Sequence, residues 1–334
     1  MSTKSDLLNL LSKNANEFMS GQEIADGLGL SRNAVWKAVK SLQSQGYPLE
    51  SLSGVGYRLK EKTDVISLDY LEKNTNFPCK YYVLDSVDST NNYAKKIGNS
   101  DLIQIIVSNE QTAGRGRLGR SFFSPLGKGI YMTIAFKPDF DLDKSMLITT
   151  MTSVVLCRAL ENVAGIHPKI KWVNDVYLGE KKLCGILTEA ESNFETGKID
   201  RLLVGIGINC FESELPSEIK NIAGYITNPL KDFSRNQLIT AVANEFFETI
   251  THFDREKIIR QYKSLSFILG NKILIINPAI AANLGMSKEK GVEGIKARAI
   301  DVDENGGLVV EYLEGRRSRE MDTLTTGEVS IRKI

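Results

Sequence analysis

Residues 111–129, Gln-Thr-Ala-Gly-Arg-Gly-Arg-Leu-Gly-Arg-Ser-Phe-Phe-Ser-Pro-Leu-Gly-Lys-Gly, hold five glycines and a proline in nineteen positions. Glycine loses the most backbone freedom on ordering and proline has no N–H, so neither helix nor strand can run through this stretch. It must be a long loop, with the strand-like runs Leu102–Val107 and Ile130–Phe136 at its two ends. Gly114, Gly116 and Gly119 spell G-x-G-x-x-G, but that fingerprint serves a dinucleotide only where a helix begins. Ser121-Phe122-Phe123-Ser124-Pro125 and Gly127-Lys128-Gly129 follow instead, which excludes the helix and makes a nicotinamide-dependent dehydrogenase the weakest reading. There is no G-x-x-x-x-G-K-[ST] motif either.

The loop's charge says more. Between Glu110 and Asp139 lie five basic residues and no acidic one, and Arg115, Arg117 and Arg120 sit on the glycine backbone. Glycines let a ligand approach the main chain, and guanidinium forks bind phosphate oxygens bidentately. A loop of about twenty residues is more often functional or disordered than merely connecting. A polyphosphate-binding loop is the natural inference, with a basic nucleic-acid-contacting surface loop as the alternative.

Around it, strand-like runs at Tyr81–Leu84, Leu183–Leu187 and Leu202–Ile208 alternate with two strong helical stripes. These are Met151, Val155, Ala159, Val163 and, after a Ser234-x-x-Gln237 capping box, Leu238, Val242, Phe246, Ile250. Several strands follow one another without a helix between, which predicts a mixed or antiparallel sheet with helices on one side. Lys171-Trp172-Val173-Asn174-Asp175 and Lys181-Lys182 read as a hairpin that brings an acid, an amide and an ammonium to one edge. Gly205 and Gly207 end a strand before Asn209 and permit close approach of a ligand. Asp88-Ser89-Thr90-Asn91 opens a short helix ending at Gly98, and an ordinary N-cap is its simplest explanation.

The first sixty residues have their own pattern. Ser5 is placed to cap the run Leu7–Leu11, Ser20–Glu23 is a capping box, Gly29 supplies a turn and Ser31 caps the next helix. That helix buries Val35, Val39 and Leu42 and turns Arg32, Asn33, Trp36, Lys37 and Lys40 outward, with no acid between Asp26 and Glu50. This is the helix-turn-helix arrangement, whose second helix enters the major groove; a helical protein-protein module with a solvated basic face is the alternative. A glycine-tipped hairpin over Leu49–Leu59 would form a wing, with Arg58 placed for a phosphate. The 42 basic and 41 acidic residues of the 334-residue chain leave a net charge of +1, so nucleic-acid binding must come from this local patch.

Four scattered cysteines and only two histidines, His167 and His252, predict no metal site, disulfide framework or histidine-based triad. The N-terminus has no signal-peptide pattern and no stretch is expected to approach a membrane span, so a cytoplasmic protein with no membrane partner is expected.

In this order the motifs Asp-Ser-Thr-Asn (88–91), Glu-Gln-Thr-Ala-Gly-Arg-Gly-Arg-Leu-Gly-Arg (110–120), Lys-Trp-Val-Asn-Asp-Val-Tyr (171–177), Lys-Leu-Cys-Gly-Ile-Leu (182–187) and Gly-Ile-Gly-Ile-Asn (205–209) resemble those of bifunctional biotin protein ligases that also repress biotin synthesis genes. The resemblance covers nearly the whole chain. Two departures are visible: Val173 stands where the family commonly has proline, and Phe122 where it has an aromatic, often tryptophan.

The resemblance implies an α+β multidomain protein. It would have a winged helix-turn-helix (1–63), a class II synthetase-like biotin ligase catalytic domain with a central mixed sheet (64–268) and a small SH3-like β-barrel (269–334). Strands at Lys272–Ile276, Ile295–Val302, Leu308–Tyr312 and Val329–Ile331 fit that barrel, and Pro278–Gly294 is a surface insertion longer than a tight turn needs. Biotin, ATP and Mg²⁺ are the implied ligands. Biotin would meet Ser89, Thr90, Asn91, Gln111, Arg115, Gly116, Arg117 and Lys182; the adenylate would meet Gly114, Arg120, Phe122, Asn174, Gly205, Gly207 and Asn209. Lys182, Arg117 and Arg115 would stabilise the reacting phosphate, and Asp175 would take a proton from the acceptor lysine. Ser31, Arg32, Asn33, Trp36, Lys37, Lys40 and Arg58 would contact DNA. Implied partners are a biotin carboxyl carrier protein, operator DNA and, once the adenylate is bound, a second copy. A lipoate ligase and a non-catalytic biotin-sensing repressor are the alternatives.

Overall fold

The computed structural model describes residues 3–44, 47, 49–60, 64–138, 145–192, 199–227, 229–276, 294–315, 317–325 and 330–333. At the N-terminus, α1 (Thr3–Lys13), α2 (Gly21–Leu28) and α3 (Arg32–Ser44) precede a hairpin of β1 (Leu49–Leu52) and β2 (Gly56–Leu59). Ser20 and Glu23 cap α2 reciprocally, and Gly29 leaves it in the left-handed conformation at φ 63°, which a β-carbon would disfavour. Ser31 accepts from the Ala34 N–H and so starts α3. Leu7, Leu11, Ile24, Val35, Val39, Leu42 and Leu59 close over one another as a separate small core. The helix α1 begins at Thr3, so Ser5, expected to precede it, lies inside its first turn.

The central region contains α4 (Leu68–Asn74), β3 (Cys79–Leu84), α5 (Thr90–Ile97), β4 (Ile103–Ser108), β5 (Gly129–Phe136) and α6 (Ser145–Ala164). It continues through β6 (Lys169–Lys171), β7 (Asp175–Leu178), β8 (Lys181–Ser192), β9 (Ile199–Asn209), α7 (Arg235–Thr251) and α8 (Arg255–Leu265). The seven strands form one sheet in the order β3-β4-β5-β9-β8-β7-β6. Only β3 and β4 run parallel, so the sheet is mixed, as expected.

Alternation sorts the strand residues between two faces. Ile105, Val107, Met132, Ile134, Val204 and Ile206 join the main core with α6, α7 and α8, where each fully buried aliphatic side chain contributes ~1.5–3 kcal/mol. Ile106, Ala135 and Leu203 point the other way and meet Ala94, Tyr93 and Ile97 of α5. The expectation of helices on one side is therefore corrected: α5 has its own apolar stripe and covers the opposite face. A second correction concerns α6. Its Met146–Ala164 stretch is long and apolar enough by composition to cross a membrane, but 72% of that window is buried, as in a core helix.

The C-terminal strands β10 (Lys272–Ile276), β11 (Ile295–Val302), β12 (Leu308–Tyr312), β13 (Met321–Leu324) and β14 (Ser330–Lys333) form an antiparallel sheet in the order β13-β12-β11-β10-β14. Among the described residues this sheet is open. The strand β13 has no apolar run to announce it, since Leu324 is its only buried residue. The expected insertion at 278–294 lies outside the described residues except for Gly294. The sheet docks on the central region through the Trp172 Nε1–H, which donates to Gly306 O at 2.9 Å, and a Lys263–Asp301 ion pair at 2.8 Å.

Candidate active site

The first turn of α5 carries three of the expected residues. Ser89 occupies the N-cap position, yet its side chain makes no capping hydrogen bond, so the ordinary N-cap explanation fails. The Thr90 N–H is met instead by Gln111 Oε1 at 2.9 Å. Asn91 donates to Glu189 Oε2 at 2.7 Å and accepts from the Thr133 hydroxyl at 2.6 Å, with Thr90 Oγ1 2.8 Å from that hydroxyl. Gly205 makes this possible: a β-carbon there would stand 2.6 Å from Asn91 Oδ1. Burial pushes the Glu189 carboxyl up, but hydrogen bonds from Lys95 and Asn91 outweigh it and hold it below the ordinary carboxylate range.

The glycine-arginine loop spans the gap between β4 and β5, folding through a single 3₁₀ turn at Arg117–Gly119. Gln111 Nε2 donates to Ser124 Oγ at 2.9 Å, and Ser124 in turn to Phe122 O at 3.0 Å. The Phe122 ring then lies across Gly185 and Gly207, occupying the space their missing side chains leave. Gly205 and Gly207 were expected to admit a ligand; in this structure they admit Asn91 and Phe122. The remaining room is about 50 Å³, well below the ~300–1,000 Å³ of a typical ligand pocket, so a ligand of that size requires the lining side chains to rearrange.

Beyond Phe122 the pocket becomes cationic. Arg117 donates to Asn174 Oδ1 at 3.2 Å, and burial lowers its guanidinium pKa. Lys182 Nζ stands 2.6 Å from Asp175 Oδ1. That buried oxygen has no partner at hydrogen-bonding angles, so the contact is an ion pair rather than an aligned hydrogen bond. The expected hairpin does unite acid, amide and ammonium.

Ser89, Thr90, Asn91, Gln111, Arg115 and Gly116 line one pocket, together with Arg117, Phe122, Asn174, Lys182, Gly205 and Gly207 and, unforeseen, Gly185, Ile186, Leu187 and Ile206. Gly114, Arg120, Asp175 and Asn209 do not line it. Gly114 packs inside the loop against Gln111 and Ser124 and accepts the Phe122 N–H at 2.8 Å, and Arg120 pairs through its main chain with Gly116 and Arg117. Asp175 touches Lys182 from behind, and Asn209 pairs with Gly129 in the sheet. Thr133, Ser124 and Glu189 were missed. Thr133 could have been noticed as the small polar residue inside the fully buried strand β5; Glu189 carries no local signal. A larger cleft of about 1310 Å³, lined in part by Asp6, Lys13, Asp64 and Asp232, contains none of the motif residues.

Burial pushes the thiols of Cys157 and Cys210 up to about 12, which leaves them poor nucleophiles. No group of three or more His, Cys, Asp or Glu side chains suited to a metal exists among the described residues. On the N-terminal module, Arg32, Asn33, Trp36, Lys37 and Lys40 are all exposed on one side of α3. Arg58 is not free beside them. It donates to Glu50 Oε2 at 2.6 Å and its guanidinium lies 4.5 Å from the centre of the Phe18 ring.

A helix-turn-helix module joined to a mixed-sheet unit with a basic loop over a half-neutral, half-cationic pocket fits one class of protein, a DNA reader fused to a unit that binds a small anionic ligand. Sequence comparison agrees. The HTH domain family matches residues 3–58, and the biotin/lipoate A/B protein ligase family matches residues 83–209. The chain is 32% identical to the bifunctional ligase/repressor BirA of Bacillus subtilis over 93% of this chain and 95% of that protein. It is 28% identical to the Escherichia coli K12 protein of the same description, over 91% and 92%. The structure of the biotin protein ligase from Aquifex aeolicus in complex with biotin and ATP superposes with a TM-score of 0.61 at 28% identity, covering 76% of this chain and 99% of that one. The chain belongs to the family of bifunctional biotin protein ligases and repressors.

Proposed function

We propose that this chain activates biotin with ATP to biotinyl-5′-AMP and transfers the biotin to a lysine of the biotin carboxyl carrier protein of acetyl-CoA carboxylase. One observation carries the reading: the pocket runs from neutral hydrogen-bonding groups (Ser89, Thr90, Gln111) to cations (Arg115, Arg117, Lys182). A ureido ring needs matched donors and acceptors at one end of its site. A carboxylate meeting an α-phosphate needs positive charge at the other, because two anions approach and charge develops as they react. Lipoate has no ureido group and would leave the neutral end unpaired, which disfavours it.

In this reading Ser89, Thr90 and Gln111 hold the ureido head while Asn91 supports the floor. Arg115, Gly116 and Arg117 lie along the carboxylate and phosphate, and Lys182 stands at the reacting centre. Gly114, Arg120, Phe122, Asn174, Gly205, Gly207 and Asn209 shape the adenylate end. The glycine-arginine loop closes over the adenylate and keeps water from the reactive anhydride. Asp175 takes the proton of the acceptor lysine. The residues present fit Mg²⁺ only as an ion that arrives with the phosphates, since octahedral Mg²⁺ usually keeps water and substrate oxygens as ligands. At this end Asp175 is the carboxylate in contact with Lys182, and no step is assigned to the ion.

The adenylate-bound chain would dimerise and bind operator DNA through Ser31, Arg32, Asn33, Trp36, Lys37, Lys40 and Arg58, repressing biotin synthesis genes in the cytoplasm. Equal dimerisation constants with and without adenylate would remove this part of the reading. The domain limits 1–63, 64–268 and 269–334, and closure of the last into an SH3-like barrel, belong to the same proposal. The deciding experiment is biotin-dependent exchange of labelled pyrophosphate into ATP, with Arg117→Ala and Lys182→Ala beside the unmodified chain. Exchange that needs biotin and collapses in both variants is expected. Saturable biotin binding without exchange would identify a sensing repressor instead.

A further inference from the structure

Arg235, the first residue of α7, is only 2% exposed, and a buried guanidinium persists only where its donors are met. Those donors reach separate segments. Nη1 donates to Asn109 Oδ1 and to Gly129 O, both at 3.1 Å. These two residues bracket the glycine-arginine loop, whose base is further closed by the Gly127 N–H on Asn109 O at 2.9 Å. Nη2 donates to Asp64 O, and the Arg235 backbone N–H to Asp64 Oδ2 at 2.6 Å. Nε is buried with no hydrogen-bond partner, 3.6 Å from Asp64 Oδ2, so the clasp is not saturated in this state. Asn236 extends the hold, donating to Val65 O at 2.6 Å and accepting from the Ser67 N–H at 2.8 Å. Residues 64–67 lead from the winged module into α4. The adenylation chemistry uses none of these groups.

We propose that Arg235 is a positioning residue that couples the glycine-arginine loop to the linker of the DNA-reading module. Asn109 follows the last residue of β4 and Gly129 opens β5, so a loop that shifts over a ligand pulls on the two strand ends from which it hangs. The guanidinium must follow both acceptors or leave buried donors unpaired, and in following it moves the Asp64 carbonyl it also holds. Ordering the loop thus orders the linker, and by linkage a fixed DNA-reading module favours the closed loop. The choice of ligands rests on the ligase reading above.

Hydrogen exchange on the full chain, read by mass spectrometry, tests this. In the unmodified protein, biotin plus ATP should slow exchange of the Gly127 amide and, in parallel, of the Ser67 and Arg235 amides about tenfold, within the ~5–150-fold span of measured site couplings. In Arg235→Lys, which keeps the charge but not the fork, Gly127 should still slow while Ser67 changes less than about twofold. Equal slowing of Ser67 in both proteins overturns the proposal, as does a loop that slows while the linker of the unmodified chain does not. Biotin-dependent pyrophosphate exchange, expected in both proteins, reports the ligase reading separately. A second variant needs no ligand: Asn109→Ala touches only the loop side of the clasp, yet should speed Ser67 exchange about threefold, within the range of coupled neighbours. Unchanged Ser67 exchange there overturns the coupling even if biotin proves not to be the substrate.

Discussion

The Phe122 ring lies so close over Gly207 that any β-carbon at that glycine would overlap the ring edge, whereas Gly205, two residues earlier on the same strand, faces the Asn91 amide. The two neighbours yield differently. Phe122 is the end of a loop side chain and can swing away; Asn91 is held by both Glu189 and Thr133. Gly205→Ala should therefore destabilise by about 1–3 kcal/mol, the usual cost of overpacking a tight site. Gly207→Ala should leave the urea midpoint nearly unchanged but displace the ring and weaken biotin binding about tenfold, ~1.4 kcal/mol. Denaturation and biotin titration of both variants check this; equal loss of stability would mean that Phe122 is as fixed as Asn91.

Lys182 and Asp175 form one ion pair, but the proposed mechanism asks different things of them. Lys182→Ala should cut pyrophosphate exchange by roughly 10²–10³-fold, the scale for removing one group that stabilises developing charge. Asp175→Asn should leave exchange largely intact and slow transfer from preformed adenylate to an acceptor lysine by about 10²–10⁴-fold, the scale of general base catalysis. Undiminished transfer would show that Asp175 only holds Lys182 in place.

Much of this arrangement was legible because chemistry and chain order coincide. The loop was readable from its glycines and proline, and the Asn174–Asp175–Lys182 cluster from a hairpin whose two arms are a few residues apart. Residues that act across the sheet were not. Glu189 reaches Asn91 over a sequence separation of 98, and Arg235 reaches Asn109 over 126; no local spacing encodes either meeting. The general expectation of helices on one side missed α5 for a similar reason: its apolar stripe shows that it packs, but not against which side of the sheet. The role of Gly205 and Gly207 was half legible. Their lack of a side chain suggests close approach of a ligand, and in the structure it makes room for Asn91 and Phe122 of the same molecule.

Glu189 also gives a pH signature. Its folded pKa lies below the ordinary value of 4.5, so the carboxylate contributes stability that is fully present above that value and is lost as the pH falls through the folded one. Glu189→Gln should abolish that part of the acid-side loss and flatten the stability profile below about pH 4.5 relative to the unmodified chain. Denaturation midpoints across pH 3 to 6 measure it, with pH ~4.3 as the reference for an unperturbed glutamate. Parallel profiles for the two proteins would mean that the Asn91–Glu189 contact is not maintained in solution.

On the winged module, Lys37 and Arg58 should separate by the salt dependence of their contribution. Lys37 is exposed on α3, whereas Arg58 already pairs with Glu50 and stacks on Phe18. A lysine that meets a phosphate releases about one counterion, so Lys37→Ala should reduce the slope of log affinity against log salt by about one for non-specific duplex DNA. Arg58 must give up or share its Glu50 partner before it can neutralise a phosphate, so Arg58→Ala should change the slope by well under one. Its main effect should instead be local: loss of the cross-strand pair and the stacked guanidinium loosens β2 against β1, at a cost of roughly 0.2–1 kcal/mol for the pair. Fluorescence titrations at several salt concentrations distinguish the outcomes. A full unit lost in Arg58→Ala would show that DNA draws this side chain off Glu50, and that the wing reaches the phosphate backbone as the sequence suggested.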